Sequence, residues 1–345
     1  MPNLLAHSLI VKRFYNHENE LGHLDSIDSF VKGNYDLLVL GSLGPDPLFY
    51  MGILPFKGLH LPTALKKIGN KLHKTNGKQF FKLLVESTYG LDNVKEKQKF
   101  EAFIFGQLAH YFLDREAHPY ILYESGFDDN GRITSHYHFD HAFFETNIDC
   151  SLAQKYSITH FLTNPQDIIP DNRRNLEIID WNLVPVLEKM FGCRLPRHMY
   201  SNAINNMKHL LKSMNHHGAF KAKILGKNIG LSAMHNPIVP DASTLNLDKN
   251  IWLDPCTGEK HIDSFLEMHT RAFELLEACY NDILKSGFNY STIGKYIDGR
   301  DYYGAEPNAV RKFKKIGAVT KSILRKQHLL EAKRSKKSQK MAQGI

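Results

Sequence analysis

Cysteine is scarce in this 345-residue chain: Cys150, Cys193, Cys256 and Cys279 stand far apart with no CxxC pair. That spacing fits reduced thiols in a cytoplasmic protein better than a disulfide framework. Long apolar runs are missing as well. Nothing approaches the roughly 18 residues of a membrane-spanning helix, so an integral membrane protein is excluded. The start, Met1-Pro2-Asn3-Leu4-Leu5-Ala6-His7, has none of the three regions of a secretory signal. Strand signals are nearly absent too. No alternating run appears, and Asn130-Gly131 joins polar stretches as a loop between helices. Gly41 to Gly44 lacks the Lys-Ser/Thr ending of a phosphate-binding loop. No fixed-period repeat occurs.

What is present is an ordinary globular composition, 42% hydrophobic and 23% charged, which argues against disorder. The net charge of +8 is unevenly placed. Residues 311–345 carry twelve Lys and Arg against Glu331, or +11, leaving the first 310 residues at 8 − 11 = −3. Two regions follow: a body over 1–305 and a basic tail over 306–345. In the tail, Val310, Phe313, Ile316, Val319, Ile323 and Leu330 form a ragged apolar stripe, suited to an anionic membrane surface or to docking on the body.

Helical periodicity dominates the body and predicts an all-α fold of roughly ten helices around one core. Candidates are Ala6 to Tyr15, Asp25 to Val31, Tyr35 to Leu43, Ala64 to Leu72, Lys78 to Leu84 and Glu96 to Asp114. Asp140 to Ile148, Trp181 to Met190, Tyr200 to Met214 and Ile262 to Leu284 follow.

The chemistry concentrates in two of these helices. In Gly106-Gln107-Leu108-Ala109-His110-Tyr111-Phe112-Leu113-Asp114-Arg115-Glu116-Ala117-His118-Pro119, His110, Asp114 and His118 are spaced i, i+4, i+8 and line one helical stripe. His141 and Glu145 repeat the i, i+4 spacing on a second helix. One such pair is weak evidence, being equally a surface contact. Two pairs and a third histidine on otherwise apolar helices are harder to place without a ligand, because inward carboxylates need partners. Imidazole with carboxylate is the donor set of catalytic Zn²⁺. Upstream, Asp46 lies between Pro45 and Pro47, which stiffen its backbone, and His60 precedes a helix start at Pro62-Thr63.

Taken in order, His7, Asp46, His60, His110, Asp114, His118, His141 and Glu145 resemble the zinc-dependent phospholipase C family. That family includes secreted bacterial phospholipases C and the N-terminal domain of glycosylphosphatidylinositol-specific phospholipase D. Its fold is shared with the S1/P1 nucleases. The resemblance spans about residues 2 to 220. It implies a nearly all-helical protein with two to three zinc ions at the base of a cleft. Asp46, His60, His110 and Asp114 would hold the first ion. Asp114 would bridge to a second, completed by His7 and the N-terminal amine. His118, His141 and Glu145 would hold the third. Asp46 would also be the catalytic group, a general base orienting the attacking water.

Two departures bear on specificity. Three residues separate Asp114 from His118, as in the glycosylphosphatidylinositol-specific branch, where the secreted phospholipases have five. This chain also lacks their processed N-terminal Trp; removal of Met1 would leave Pro2, whose secondary amine can coordinate zinc, five positions before His7. Gln107, Tyr111 and Asp140 are candidates for orienting the imidazoles, and His136 or, more readily, His138 is an alternative ligand. His216-His217, the segment Trp252 to Glu259 and the cysteines receive no chemistry.

The resulting expectation is a zinc-dependent phosphodiester hydrolase, cytoplasmic or peripheral to a membrane, acting on a phospholipid or related phosphate ester. Rivals are an S1/P1-like nuclease or nucleotidase, disfavoured by the acidic body, and a non-catalytic, metal-stabilised membrane-binding module.

Overall fold

A computed structural model describes residues 4–25, 29–51, 68–134, 136–215, 236 and 240–315. Among them are eleven α-helices: α1 (Leu4–Glu20), α2 (Tyr35–Ser42), α3 (Ile68–His73), α4 (Gly77–Ser87), α5 (Val94–Ser125), α6 (His136–Lys155), α7 (His160–Thr163), α8 (Arg173–Phe191), α9 (Met199–Asn215), α10 (Phe265–Ser286) and α11 (Tyr290–Ile293). A two-residue antiparallel hairpin, β1 (Trp252–Leu253) and β2 (Lys260–His261), is the sole sheet of the described residues. None of the described helices is long and apolar enough to cross a membrane, and all four cysteines are free.

Helix α5 is the axis. Asn93 caps its start by accepting the Lys95 and Glu96 N–H groups, and Gly126 ends it with a φ of 79°. It runs past the expected stop at Asp114, through Pro119, to Ser125. Nearly every side chain from Phe100 to Leu122 is buried, so this stretch of α5 has no solvent face and its polar residues must find partners inside.

Helix α2 crosses α5 at a glycine-to-glycine contact. A Cβ on Gly41 would lie 2.1 Å from the Phe103 carbonyl, and one on Gly106 would lie 2.3 Å from the Leu38 carbonyl. Only glycine permits this approach. On other sides α5 packs against α10, α6, α8 and α1. Phe14, Phe30, Phe105 and Tyr280 form one edge-to-face aromatic cluster of this core.

The start of α1 is fastened from α6, where the two oxygens of buried Asp149 accept the Leu5 and Ala6 N–H groups at 2.9 Å. These bonds satisfy donors that a helix start leaves open and hold His7 at a fixed depth. The helix expected over Asp25 to Val31 does not extend to its end: His23–Asp25 is a single 3₁₀ turn and residues 29–31 are non-helical. Helix α8 starts eight residues before Trp181, capped by Asn172. The tail's first residues dock on the body. Lys312 and Phe313 donate backbone N–H groups to the Pro255 carbonyl, and Lys315 pairs with Glu124 at 2.7 Å. Residues 316–345, with the remainder of the apolar stripe, lie outside the described residues.

Candidate metal centre

The i, i+4 pairs on α5 and α6 face each other across a cavity of about 250 Å³, with α1, α3 and the 3₁₀ turn Asp46–Tyr50 closing its base. Three groups of ligand-type atoms form there: His7, His110 and Asp114; Asp46, His73 and His110; and His118, His141 and Glu145. All eight side chains are buried.

Asp114 sits at the centre. Its Oδ1 is 3.2 Å from His7 Nε2 and its Oδ2 is 3.0 Å from His110 Nε2. His73 Nε2 lies 3.0 Å from Asp46 Oδ1, and His118 and His141 Nε2 lie 3.4 and 3.1 Å from Glu145 Oε1.

The far side of most of these rings is fixed. His73 Nδ1 donates to the Gly69 carbonyl at 2.8 Å, one turn earlier in its helix. His110 Nδ1 donates to the Ser42 carbonyl at 2.9 Å, at the end of α2 that the glycine crossing brings close. His118 Nδ1 donates to the Tyr302 carbonyl at 2.6 Å. Ser125 Oγ donates to the Ile121 carbonyl at 2.7 Å, leaving a lone pair facing His141 Nδ1 at 3.4 Å. With the Nδ1 proton committed, each of these rings points Nε2 at a carboxylate.

That arrangement is electrostatically incomplete without cations. An unprotonated Nε2 facing a carboxylate sets two lone pairs against each other, and full protonation of every ring is opposed by crowding. The His7 and His110 rings stack at 3.9 Å, and His118 and His141 at 5.4 Å. Burial and the neighbouring His110 push the His7 pKa down, and burial pushes His141 down. Burial opposes charge on His110 and His118 too, but Asp114 outweighs it, raising both, His118 to about 9. Burial likewise works against charge on Asp114 and Glu145, yet the facing histidines hold both well below the usual carboxylate range. Asp46 is lowered as well, burial being outweighed by His73 and His110.

The donor geometry fits zinc. A tetrahedral ion with bonds of about 2.0–2.1 Å spaces its donors about 3.3 Å apart, and the nitrogen–oxygen distances above run from 3.0 to 3.4 Å. Buried His7 Nδ1 makes no hydrogen bond, and His110 Nε2, 3.0 Å from Asp114 Oδ2, is not aligned for one. Buried nitrogens left in this way are costly unless they serve a ligand.

Of the residues expected here, His7, Asp46, His110, Asp114, His118, His141 and Glu145 come together; His60 and Pro2 lie outside the described residues. His73 had gone unnoticed. Its signal was faint, a histidine ending a short helix with no carboxylate at i±4, and its partner Asp46 is 27 positions away. His138 lines the cavity but belongs to none of the three groups. Gln107 and Tyr111 do not touch the imidazoles as orienting partners: Gln107 holds the Gly44 carbonyl at 3.2 Å, and Tyr111 donates to the Arg300 carbonyl at 2.9 Å. Backbone carbonyls do most of the orienting instead, and periodicity does not reveal them.

Phe49, Ile133, Phe139 and Ala142 supply the apolar part of the cavity wall, and Asn70, His138 and Tyr303 add polar groups to it.

Neither curated proteins nor solved structures yield a significant match to this sequence. A family model for zinc-dependent phospholipase C matches residues 6–183, a span that runs from within α1 into α8 and holds all eight clustered side chains. The chain belongs to the zinc-dependent phospholipase C family and is a zinc-dependent hydrolase of the phosphodiesterase type.

Proposed function

We propose that the protein hydrolyses the phosphodiester of a phospholipid or a closely related phosphate ester, using two to three zinc ions. In this reading Asp46, His73, His110 and Asp114 hold one ion, with His60 a further candidate. His7 and Asp114 hold a second, with the amine of Pro2 a further candidate if Met1 is removed. His118, His141 and Glu145 hold the third. The observation that carries this reading is the meeting of three buried carboxylates and five imidazoles in three adjoining groups.

Bound zinc neutralises phosphate charge and lowers the pKa of coordinated water toward about 7. The remaining work falls to the chain itself. Asp114 faces His7 with one oxygen and His110 with the other, so a single side chain ties two donor groups at one spacing. Asp46 lines the cavity and is held by His73; as an ionised carboxylate it orients a water for attack and accepts its proton. The cavity of about 250 Å³ suits a phosphate and its first substituents, with Phe49 and Phe139 against the apolar part. The charge of −3 over the first 310 residues is a poor match for a polyanionic nucleic acid.

Three measurements test this. Metal analysis of gently purified protein should return two to three zinc ions per chain. Phosphatidylcholine and phosphatidylinositol should then be cleaved far faster than single-stranded DNA or a nucleotide monophosphate. Asp46→Asn should lower kcat at least about 100-fold while most of the zinc remains. A zinc-free chain, or undiminished turnover in Asp46→Asn, would refute the assignment.

A further inference from the structure

The family match ends at residue 183, yet part of the metal centre comes from more than a hundred residues later. A short segment, 298–304, runs across α3 and α5 directly behind the ligands. At its middle, the Tyr302 N–H donates to the His73 carbonyl at 3.1 Å while the Tyr302 carbonyl accepts His118 Nδ1 at 2.6 Å. One residue thereby links the two helices that present His73 and His118. Its fully buried ring packs 5.4 Å from His73 and 5.8 Å from His110. The next ring, Tyr303, lies 5.1 Å from His118 and lines the cavity.

The segment is built to stay there. Asp301 closes a turn, accepting the Tyr303 and Ala305 N–H groups at 2.9 and 3.0 Å. Gly304, at φ 72°, passes over α5 where Pro119 lacks the N–H that would normally bond the Arg115 carbonyl. A Cβ on Gly304 would sit 2.6 Å from that carbonyl. Asp298 at the other end pairs with Arg115 at 3.3 Å.

We infer that segment 298–304 is a structural component of the metal centre, and that Tyr302 is a positioning residue that sets the His118 ring and ties it to His73. This rests on the zinc-site reading above. Holding the Nδ1 proton on a backbone carbonyl leaves His118 Nε2 toward Glu145, and rotating the ring out of register breaks that bond. Losing such an outer partner typically weakens metal binding about 10- to 100-fold. Because binding coupling is reciprocal, metal at His118 also holds the segment down.

Three variants and one measurement on the unaltered chain test this. Asp301→Ala releases the turn without touching a ligand, and Gly304→Ala forces the segment off α5. Both should bind at least one zinc about 10- to 100-fold more weakly in chelator competition, with altered cobalt absorption bands after metal replacement. Tyr302→Phe removes only a hydroxyl that makes no hydrogen bond and should match the unaltered chain in both. In the unaltered protein, zinc removal should speed amide exchange of peptides covering 298–304 at least about tenfold. Normal zinc affinity and cobalt bands in a cooperatively folding Asp301→Ala protein overturn the inference. So does zinc-independent exchange over 298–304, which decides the matter if either variant fails to fold. An unaltered chain that binds no zinc defeats the proposed function instead.

Discussion

At the scale of single residues, burial sets the behaviour of the ionisable groups, inside the site and beyond it. Glu101, one turn before the apolar centre of α5, is pushed up by burial to about 7, with Lys97 only partly opposing. Between pH 4.5 and about 7 the unfolded chain releases this proton while the folded chain keeps it, so Glu101 erodes stability as pH rises through that window and then levels off. Glu101→Gln should therefore stabilise the protein at pH 8 by on the order of 2 kcal/mol and leave it nearly unchanged at pH 4. Urea denaturation at both values checks this; equal effects at the two pH values would be inconsistent with a burial-shifted carboxyl.

At the scale of elements, close backbone approach decides whether His110 reaches its place. Gly44 follows α2 with φ 58°, and a Cβ there would lie 2.3 Å from the His110 ring. Gly192 ends α8 with nearly the same backbone, φ 62°, but nothing lies within 4 Å. Gly192→Ala should cost only the left-handed strain, about 1 kcal/mol, with zinc binding intact. Gly44→Ala should cost about 3 kcal/mol and weaken zinc binding more than about tenfold. Thermal unfolding and metal titration of the two variants provide the comparison, and equal penalties would refute the packing argument. The same logic explains why α5 is legible as a helix yet its length is not: the pattern breaks at Pro119, while helices and segment 298–304 packed around it keep it going to Ser125.

For the whole molecule, the centre joins α1, α3, α5 and α6, so metal removal should be felt globally. Stripping zinc leaves mutually crowded imidazoles and buried carboxylates, and should lower the unfolding midpoint by about 5 °C or more, restored by adding zinc back. An unchanged midpoint in calorimetry would mean the groups are self-sufficient. Residues 311–315 bind the body through Gly131, Pro255, Phe127 and Glu124. The proposed attraction to an anionic membrane surface is therefore tested on 316–345, which holds eight Lys and Arg against Glu331. A chain ending at 315 should keep its fold and lose co-sedimentation with anionic vesicles; equal binding by both lengths would dismiss the membrane role of the tail.

Helical spacing is a local property, and what it governs was readable from the residues alone. The stripe of His110, Asp114 and His118, the His141–Glu145 pair, the helical class of the body and the donor chemistry suited to zinc all follow from neighbours within two turns. Contacts between distant parts of the chain were decided only by folding. Such contacts include the glycine crossing that delivers the Ser42 carbonyl to His110, the pairing of His73 with Asp46, and the Tyr302 carbonyl that meets His118 from 184 residues away. Backbone carbonyls carry no side-chain signature, and a hydrogen bond across that separation depends on how the helices pack rather than on the period of any one of them.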